Sequence, residues 1–200
     1  MKTDQIRIMT DGTGMKEAVA LTEKVGTESN LTSKENLRLR LLSEELFGMI
    51  STITGNMEGL YWIEYENKSF DIHLKGEIDL TLEMKDKLVE LSTKKENTAA
   101  KGFMGKLRDM IGSSLLPRDD GPAPLTMGLM SMGSPAGYHV TGEVYEWSML
   151  QYREEVENSE GEEAEGAKDE LEKSIVANIA DDVSIRIVKS EVEITISKKF

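Results

Sequence analysis

The run "LRLRLLSEELFGMISTITG" places Leu39, Leu42, Leu46, Met49, Ile50 and Ile53 in steps of three, four and one. That spacing gathers them on one face of a helix, and Gly55 is a sound stop signal. Ser33 stands where a helix cap belongs, with Asn36 three residues on, so the capping-box pattern is partial. Before it, "QIRIMT" alternates Ile6 and Ile8 with polar residues and predicts a strand. "DGTG" breaks that strand, and "MKEAVALTEKV" returns to helical spacing with Ala18, Leu21 and Val25. "LYWIEYE" and "FDIHLKG" read as two strands joined through a tight turn containing Asn67. In the second, Phe70, Ile72 and Leu74 face one way and Asp71, His73 and Lys75 the other, a polar face that suits a half-solvated antiparallel sheet or the lining of a groove. At the far end, "LEKSIVANIADDV" predicts a helix, followed by the alternating strands "SIRIV" and "VEITISKKF" around the turn "KSE".

The middle of the chain fits neither period. Polar helical segments are expected near 82–91 and, through Phe103, Leu107 and Met110, in "AAKGFMGKLRDMIGSSL". From Gly112 to Tyr138 come all four prolines, several glycines and Met127, Met130 and Met132, which predicts a long segment without regular structure. Flexible thioethers suit adaptable binding surfaces. "VTGEVYEWSMLQY" returns to a strand or short helix. "REEVENSEGEEAEGAKDELE" is an acidic run with little apolar content, expected to be solvated. No internal repeat is visible. Helices with one apolar stripe each must cover one face of the sheet. The expected architecture is a two-layer α/β (α+β) sandwich in a single domain. Its sheet is mixed and largely antiparallel, and an insertion occupies about 80–169.

Composition narrows the function classes. Of the 200 residues, 38% are apolar and 30% charged, which suits a soluble globular chain. No apolar window is long enough to span a membrane, and the first residues lack the apolar core of a signal peptide, so a cytoplasmic location is expected. There is no cysteine, and His73 and His139 are the two histidines, which leaves no thiolate or multi-histidine metal centre. The formal charge of -13 argues against a nucleic-acid partner.

The order strand, helix, helix, two strands, insertion, helix, two strands resembles the histidine-kinase-like ATPase (Bergerat) fold. The likeness is greatest to the anti-sigma-factor serine-kinase branch, and three stretches carry it. "SEELFGMI" is similar to the family's Glu-Leu-x-x-Asn helix motif, with Glu45 and Leu46 at the matching positions. "FDIHLKGEIDL" stands where a strand leads into Asp-x-Gly-x-Gly, with Gly76 as the first glycine. "IVANIADDVSIRIVKSEVEITISKKF" is similar to the branch's closing helix, acidic turn and hairpin. The likeness covers roughly 4–80 and 170–200.

The resemblance implies an ATP and magnesium site in which Glu45 is the catalytic carboxylate. Gly76 and a phosphate loop echoed by Lys101, Gly102, Gly105 and Lys106 would contact the nucleotide. The family's magnesium-holding Asn falls on Met49, and a thioether is a poor ligand for a hard cation. Its adenine-binding Asp falls on Leu74, and its second glycine on Ile78. Each missing hydrogen bond to a buried group costs about 1–3 kcal/mol. Two together weaken a site by roughly 30-fold to 20,000-fold.

Three readings follow. The first is a degenerate ATPase domain kept as a regulatory, protein-binding module. The second is an ATP-binding regulator or serine kinase with substitute contacts. The third is an unrelated α/β scaffold. A homodimer is compatible with each. Asp181 and Asp182 read as turn and helix-end residues rather than metal ligands.

Overall fold

The structure is a computed structural model that describes residues 1–54, 57–78, 138–141, 144–188 and 190–200. Strand β1 (Ile6–Met9) leads into helices α1 (Met15–Glu28) and α2 (Ser33–Thr54), then strands β2 (Met57–Glu66) and β3 (Ser69–Ile78). After the insertion come β4 (Tyr138–Thr141), β5 (Val144–Ser148), α3 (Met149–Glu157), α4 (Glu162–Lys173), α5 (Ile175–Ile179), β6 (Asp182–Val188) and β7 (Glu191–Lys199). The seven strands form one sheet in the order β1-β2-β3-β7-β6-β5-β4. Every neighbouring pair in it is antiparallel. The expected mixed sheet is therefore corrected: among the described residues no two strands pair in parallel, because each pairing joins a hairpin or two strands that run oppositely.

Alternation builds the two layers. Tyr61, Ile63, Phe70, Ile72, Leu74, Ile185, Ile194 and Ile196 are buried on one face, where α1, α2 and α3 pack. Leu39, Leu42, Leu46 and Met49 of α2 close that core from above. At about 25 cal/mol per Å² of apolar surface, each such side chain contributes about 1.5–3 kcal/mol. The opposite face carries Trp62, His73, Lys75, Glu193 and Arg186, as the register requires.

The register also exposes a repeat that the sequence hides. The β2–β3 hairpin turns through two residues, 67–68, and β6 and β7 pair from Val188 and Glu191 inward. Across the β3–β7 seam, Ile72 pairs with Ile196 and Leu74 with Ile194. An approximate two-fold axis through that seam exchanges the two pairs. It carries Tyr61 and Ile63 onto Val183 and Ile185. Each half holds a strand, a helical layer and a hairpin, and the second half carries β4 in addition.

Local chemistry explains the boundaries, with two corrections. The capping box of α2 sits one residue earlier than the sequence suggested. The Thr32 hydroxyl accepts from the Glu35 amide at 3.3 Å, and the Glu35 carboxylate accepts from the Thr32 amide at 2.6 Å. That carboxyl is held below its usual range, first by the Thr32 amide. Asn67 and Lys68 take positive φ values of 49° and 61°, the two-residue turn that matches strand twist.

Two helices, α3 and α4, run through the acidic stretch on either side of 158–161, and most of its described residues are exposed as expected. Met149, Tyr152 and Val156 are buried along α3. On α4, Ala164 is buried and Ala167 and Leu171 are partly buried. These narrow stripes at three- and four-residue spacing lie among the carboxylates. The closing helical stretch breaks at Ser174, whose hydroxyl caps α5 by accepting from the Ala177 amide at 3.2 Å. Among the described residues no helix is long and apolar enough to cross a membrane.

Candidate functional site

The residues that carry the ATPase resemblance sit on α2, on the end of β3 and on α5, which packs against α2. Helical geometry puts Glu45 and Met49 one turn apart on the same flank of α2. Glu45 is half-buried. Met49 is 4% exposed and Leu74 1%, both inside the apolar core with Val176 and Ala177 of α5. Gly76 is half-buried on β3, between Gly59 of β2 and Val192 of β7. The two positions that the resemblance aligns with the family's polar anchors therefore hold buried apolar side chains. Lys101, Gly102, Gly105 and Lys106, the helical segments expected near 82–91 and 103–110, and the methionine-rich stretch lie outside the described residues. Among the described residues no group of three histidine, aspartate or glutamate side chains is placed to hold a metal.

Glu44, the neighbour of Glu45, has a structural partner. Its carboxylate accepts from Arg40 Nε at 2.9 Å, while Arg40 Nη1 reaches Glu23 on α1 at 2.9 Å. The clamp crosses a groove of about 590 Å³ between α1 and α2, floored by Val19, Ala20 and Phe47. All three groups are substantially solvated, so the clamp fixes helix orientation more than it adds stability.

Asp181 and Asp182 act as ties, Asp181 in the bend before β6 and Asp182 as the first residue of that strand. Asp181 accepts from Lys198 Nζ and from the Lys199 amide, each at 2.7 Å. Asp182 accepts from the Leu150 amide at 2.9 Å and from the Ser148 hydroxyl at 3.1 Å. It thus caps the start of α3 from across the sheet, where the helix dipole favours a carboxylate.

Two constellations go beyond the sequence reading, one of them on the face it marks through Asp71, His73 and Lys75. The first is a buried hydroxyl triangle of Thr22, Ser43 and Tyr61, each 0% exposed. Thr22 Oγ1 lies 2.6 Å from the Tyr61 hydroxyl and 3.0 Å from Ser43 Oγ, and Ser43 lies 2.7 Å from Tyr61. Thr22 also donates to the Ala18 carbonyl at 2.8 Å. That uses one of three hydroxyl protons and leaves two for three contacts. Burial pushes the Tyr61 hydroxyl up to about 12, so it stays protonated and donates. The triangle ties α1, α2 and β2 together. Tyr61→Phe removes one contact from each of Thr22 and Ser43, which keep each other, and is expected to cost about 1–2 kcal/mol in urea unfolding. A loss under about 0.3 kcal/mol would mean the triangle contributes nothing.

The second constellation lies on the open face. His73 stacks on Trp62 with ring centres 4.8 Å apart and planes 5° apart. Lys2 Nζ sits 4.8 Å above the same Trp62 ring and bonds Glu64 at 3.0 Å. His73 Nδ1 is 3.1 Å from Thr195 Oγ1, and its Nε2 is buried without a hydrogen-bond partner among the described residues. The face that the sequence read as solvated is thus half-covered around His73. At its Gly76 end it opens into a groove of about 830 Å³ bordered by Leu60, Lys75, Glu58, Glu77 and Glu191. Lone hydroxyls at 22 and 43, acids at 58, 77 and 191, and the shared strand face of His73 and Lys75 are sequence signals of these clusters. Neither cluster can be assembled without the register of the strands and the packing of two helices. The chain matches no protein-family model, no curated protein and no solved structure.

Proposed function

We propose that the chain is a degenerate histidine-kinase-like ATPase domain that works as a regulatory, protein-binding module, with nucleotide binding weak or lost. One observation carries the reading. Met49 and Leu74 stand where the family pattern has its magnesium-holding Asn and adenine-binding Asp, and both are packed in the core at 4% and 1% exposure. A thioether offers nothing to magnesium. A buried leucine offers no acceptor to an adenine amino group. Glu45 keeps the place of the catalytic carboxylate, but a base without a positioned phosphate transfers no proton of use.

The order of elements supports the family reading. Two strands, β1 and β2, flank the helical pair, β3 runs into the insertion, and α5 precedes the closing hairpin. A domain that keeps this scaffold without its ligand anchors retains its surfaces, and a protein partner in a circuit of the anti-sigma kind is the use those surfaces suit. That step is analogy from the fold.

Thermal unfolding with millimolar ATP and magnesium, against ADP and AMP, tests the proposal. The expected result is no shift. Saturation at a hundredfold over the dissociation constant would instead stabilise by about 2.7 kcal/mol. For a chain of this size that is a rise of roughly 5–11 °C. Such a rise would replace the proposal with an ATP-binding regulator that uses substitute contacts.

A further inference from the structure

The groove at the Gly76 end of the open sheet face has a charge pattern that the fold does not need. Glu58 stands directly opposite Glu77, and Glu77 directly opposite Glu191, across three adjacent strands. Side chains so placed have Cβ atoms about 5 Å apart, and like charges there repel. The two ends of the row are answered. Arg7 pairs with Glu58 at 2.5 Å and Lys75 with Glu191 at 2.8 Å. Glu77, in the middle and exposed, has no ion pair among the described residues.

Asp11 adds a fourth carboxylate at the rim. Its hydrogen bond from the Thr13 amide at 2.8 Å holds its carboxyl below the usual range, so it stays charged. One ammonium, Lys75, lines the groove against four carboxylates. The surface between them is apolar. Leu60, at 41% exposure, is among the few large aliphatic side chains left so open, and Met9 borders the same groove. Gly59 and Gly76, paired side by side, add no side chains to the groove.

The geometry points to this groove as the docking site for a basic, partly apolar segment of a protein partner. A lysine or arginine of the partner answers Glu77, and a neighbouring aliphatic side chain covers Leu60. The inference rests on the reading of the chain as a protein-binding module and names the surface and the chemistry of its partner. Acids spaced across three strands with a lysine among them suit a side-chain cation carried on a chain. Electrostatic complementarity of this kind sets encounter rate and register.

The test uses a fluorescent peptide of alternating lysine and leucine, its glutamate-for-lysine counterpart, and the full chain. Glu77→Lys is compared with Glu165→Lys, an exposed position on α4 with the same change in net charge. At low salt the lysine peptide is expected to bind the unmodified chain. Glu77→Lys is expected to weaken it by about tenfold or more and Glu165→Lys by less than about twofold. Leu60→Gln is expected to weaken it by severalfold with little change in salt dependence, because it removes an apolar contact and no charge. Equal losses for the two lysine variants would mean diffuse attraction to an acidic protein, and the groove assignment would be wrong. Equal binding of the two peptides would overturn it as well. Either failure leaves the protein-binding reading standing, since that reading falls to ATP-induced stabilisation and not to these variants.

Discussion

Gly14→Ala is expected to destabilise the protein by about 3 kcal/mol, and Gly12→Ala by about 1–2 kcal/mol, although both glycines lie in the same short loop. Each has positive φ, 77° at Gly14 and 99° at Gly12, so any side chain is strained there at about 1–3 kcal/mol. The surroundings differ. A methyl at Gly12 meets open space, whereas one at Gly14 runs into the backbone carbonyl of Arg7 on β1. Backbone cannot swing aside as a flexible side chain does, and overpacking of this kind adds about 1–3 kcal/mol.

The contact matters because the loop aims α1 at the sheet. The Met9 amide donates to the Thr13 carbonyl and the Gly12 amide to the Met9 carbonyl, each at 3.0 Å. The strand therefore turns back on itself before the helix begins at Met15. Urea unfolding of the two variants, with m-values checked for constancy, separates strain from contact. Equal losses would mean that the start of α1 does not press on β1.

The parts of the fold that were legible are those where a local period meets a local punctuation mark. The stripe Leu39, Leu42, Leu46 and Met49 is buried as its spacing required. Asn67 turns the hairpin, and the alternation of Val192, Ile194 and Ile196 faces the core. Where competing local signals lie close together, the sequence misplaced the feature. Ser33 and Thr32 are both good caps, and the reciprocal partner Glu35 decides for Thr32. The acidic run misled because three apolar positions per helix suffice to dock α3 and α4, a fraction too small to register in composition.

What the sequence withheld is non-local. The two-fold at the β3–β7 seam equates hairpins that share only an inward apolar pattern, so no residue identity announces it. The hydroxyl triangle needs α1, α2 and β2 in one register. The row Glu58–Glu77–Glu191 exists only because three strands align at one level, and a one-residue slip would scatter it. The candidate site divides in the same way. That Met49 and Leu74 are the wrong chemistry for a nucleotide was readable from residue type alone. Their burial, which turns a missing contact into a filled core, was not.

Leu74→Asp, which installs the residue that the proposed ATPase pattern has at this position, is therefore expected to damage the protein rather than create a site. Leu74 is 1% exposed and packs between Tyr61 and Ile194 on the neighbouring strands. Loss of its side-chain packing costs about 2–5 kcal/mol. A carboxylate left there without a partner raises its own pKa, because burial disfavours the charged form. The native state then holds a proton that the unfolded chain releases above about pH 4. Stability consequently falls as pH rises, by about 1.4 kcal/mol per unit, until the raised pKa is passed.

Leu74→Asn has nearly the same shape and no charge, so it isolates this effect. The gap between the two variants is expected to be small near pH 4, about 1.4 kcal/mol at pH 5 and about 3–4 kcal/mol at pH 7, read by urea unfolding at each pH. With a total stability on the order of 5–15 kcal/mol, the Asp variant approaches unfolding at neutral pH and regains structure on mild acidification. An Asp variant as stable as the Asn variant at pH 7, with no slope, would place position 74 against water or polar groups. A cavity would then remain where the family pattern puts the adenine, and the filled-core reading would give way to an ATP site that still stands open.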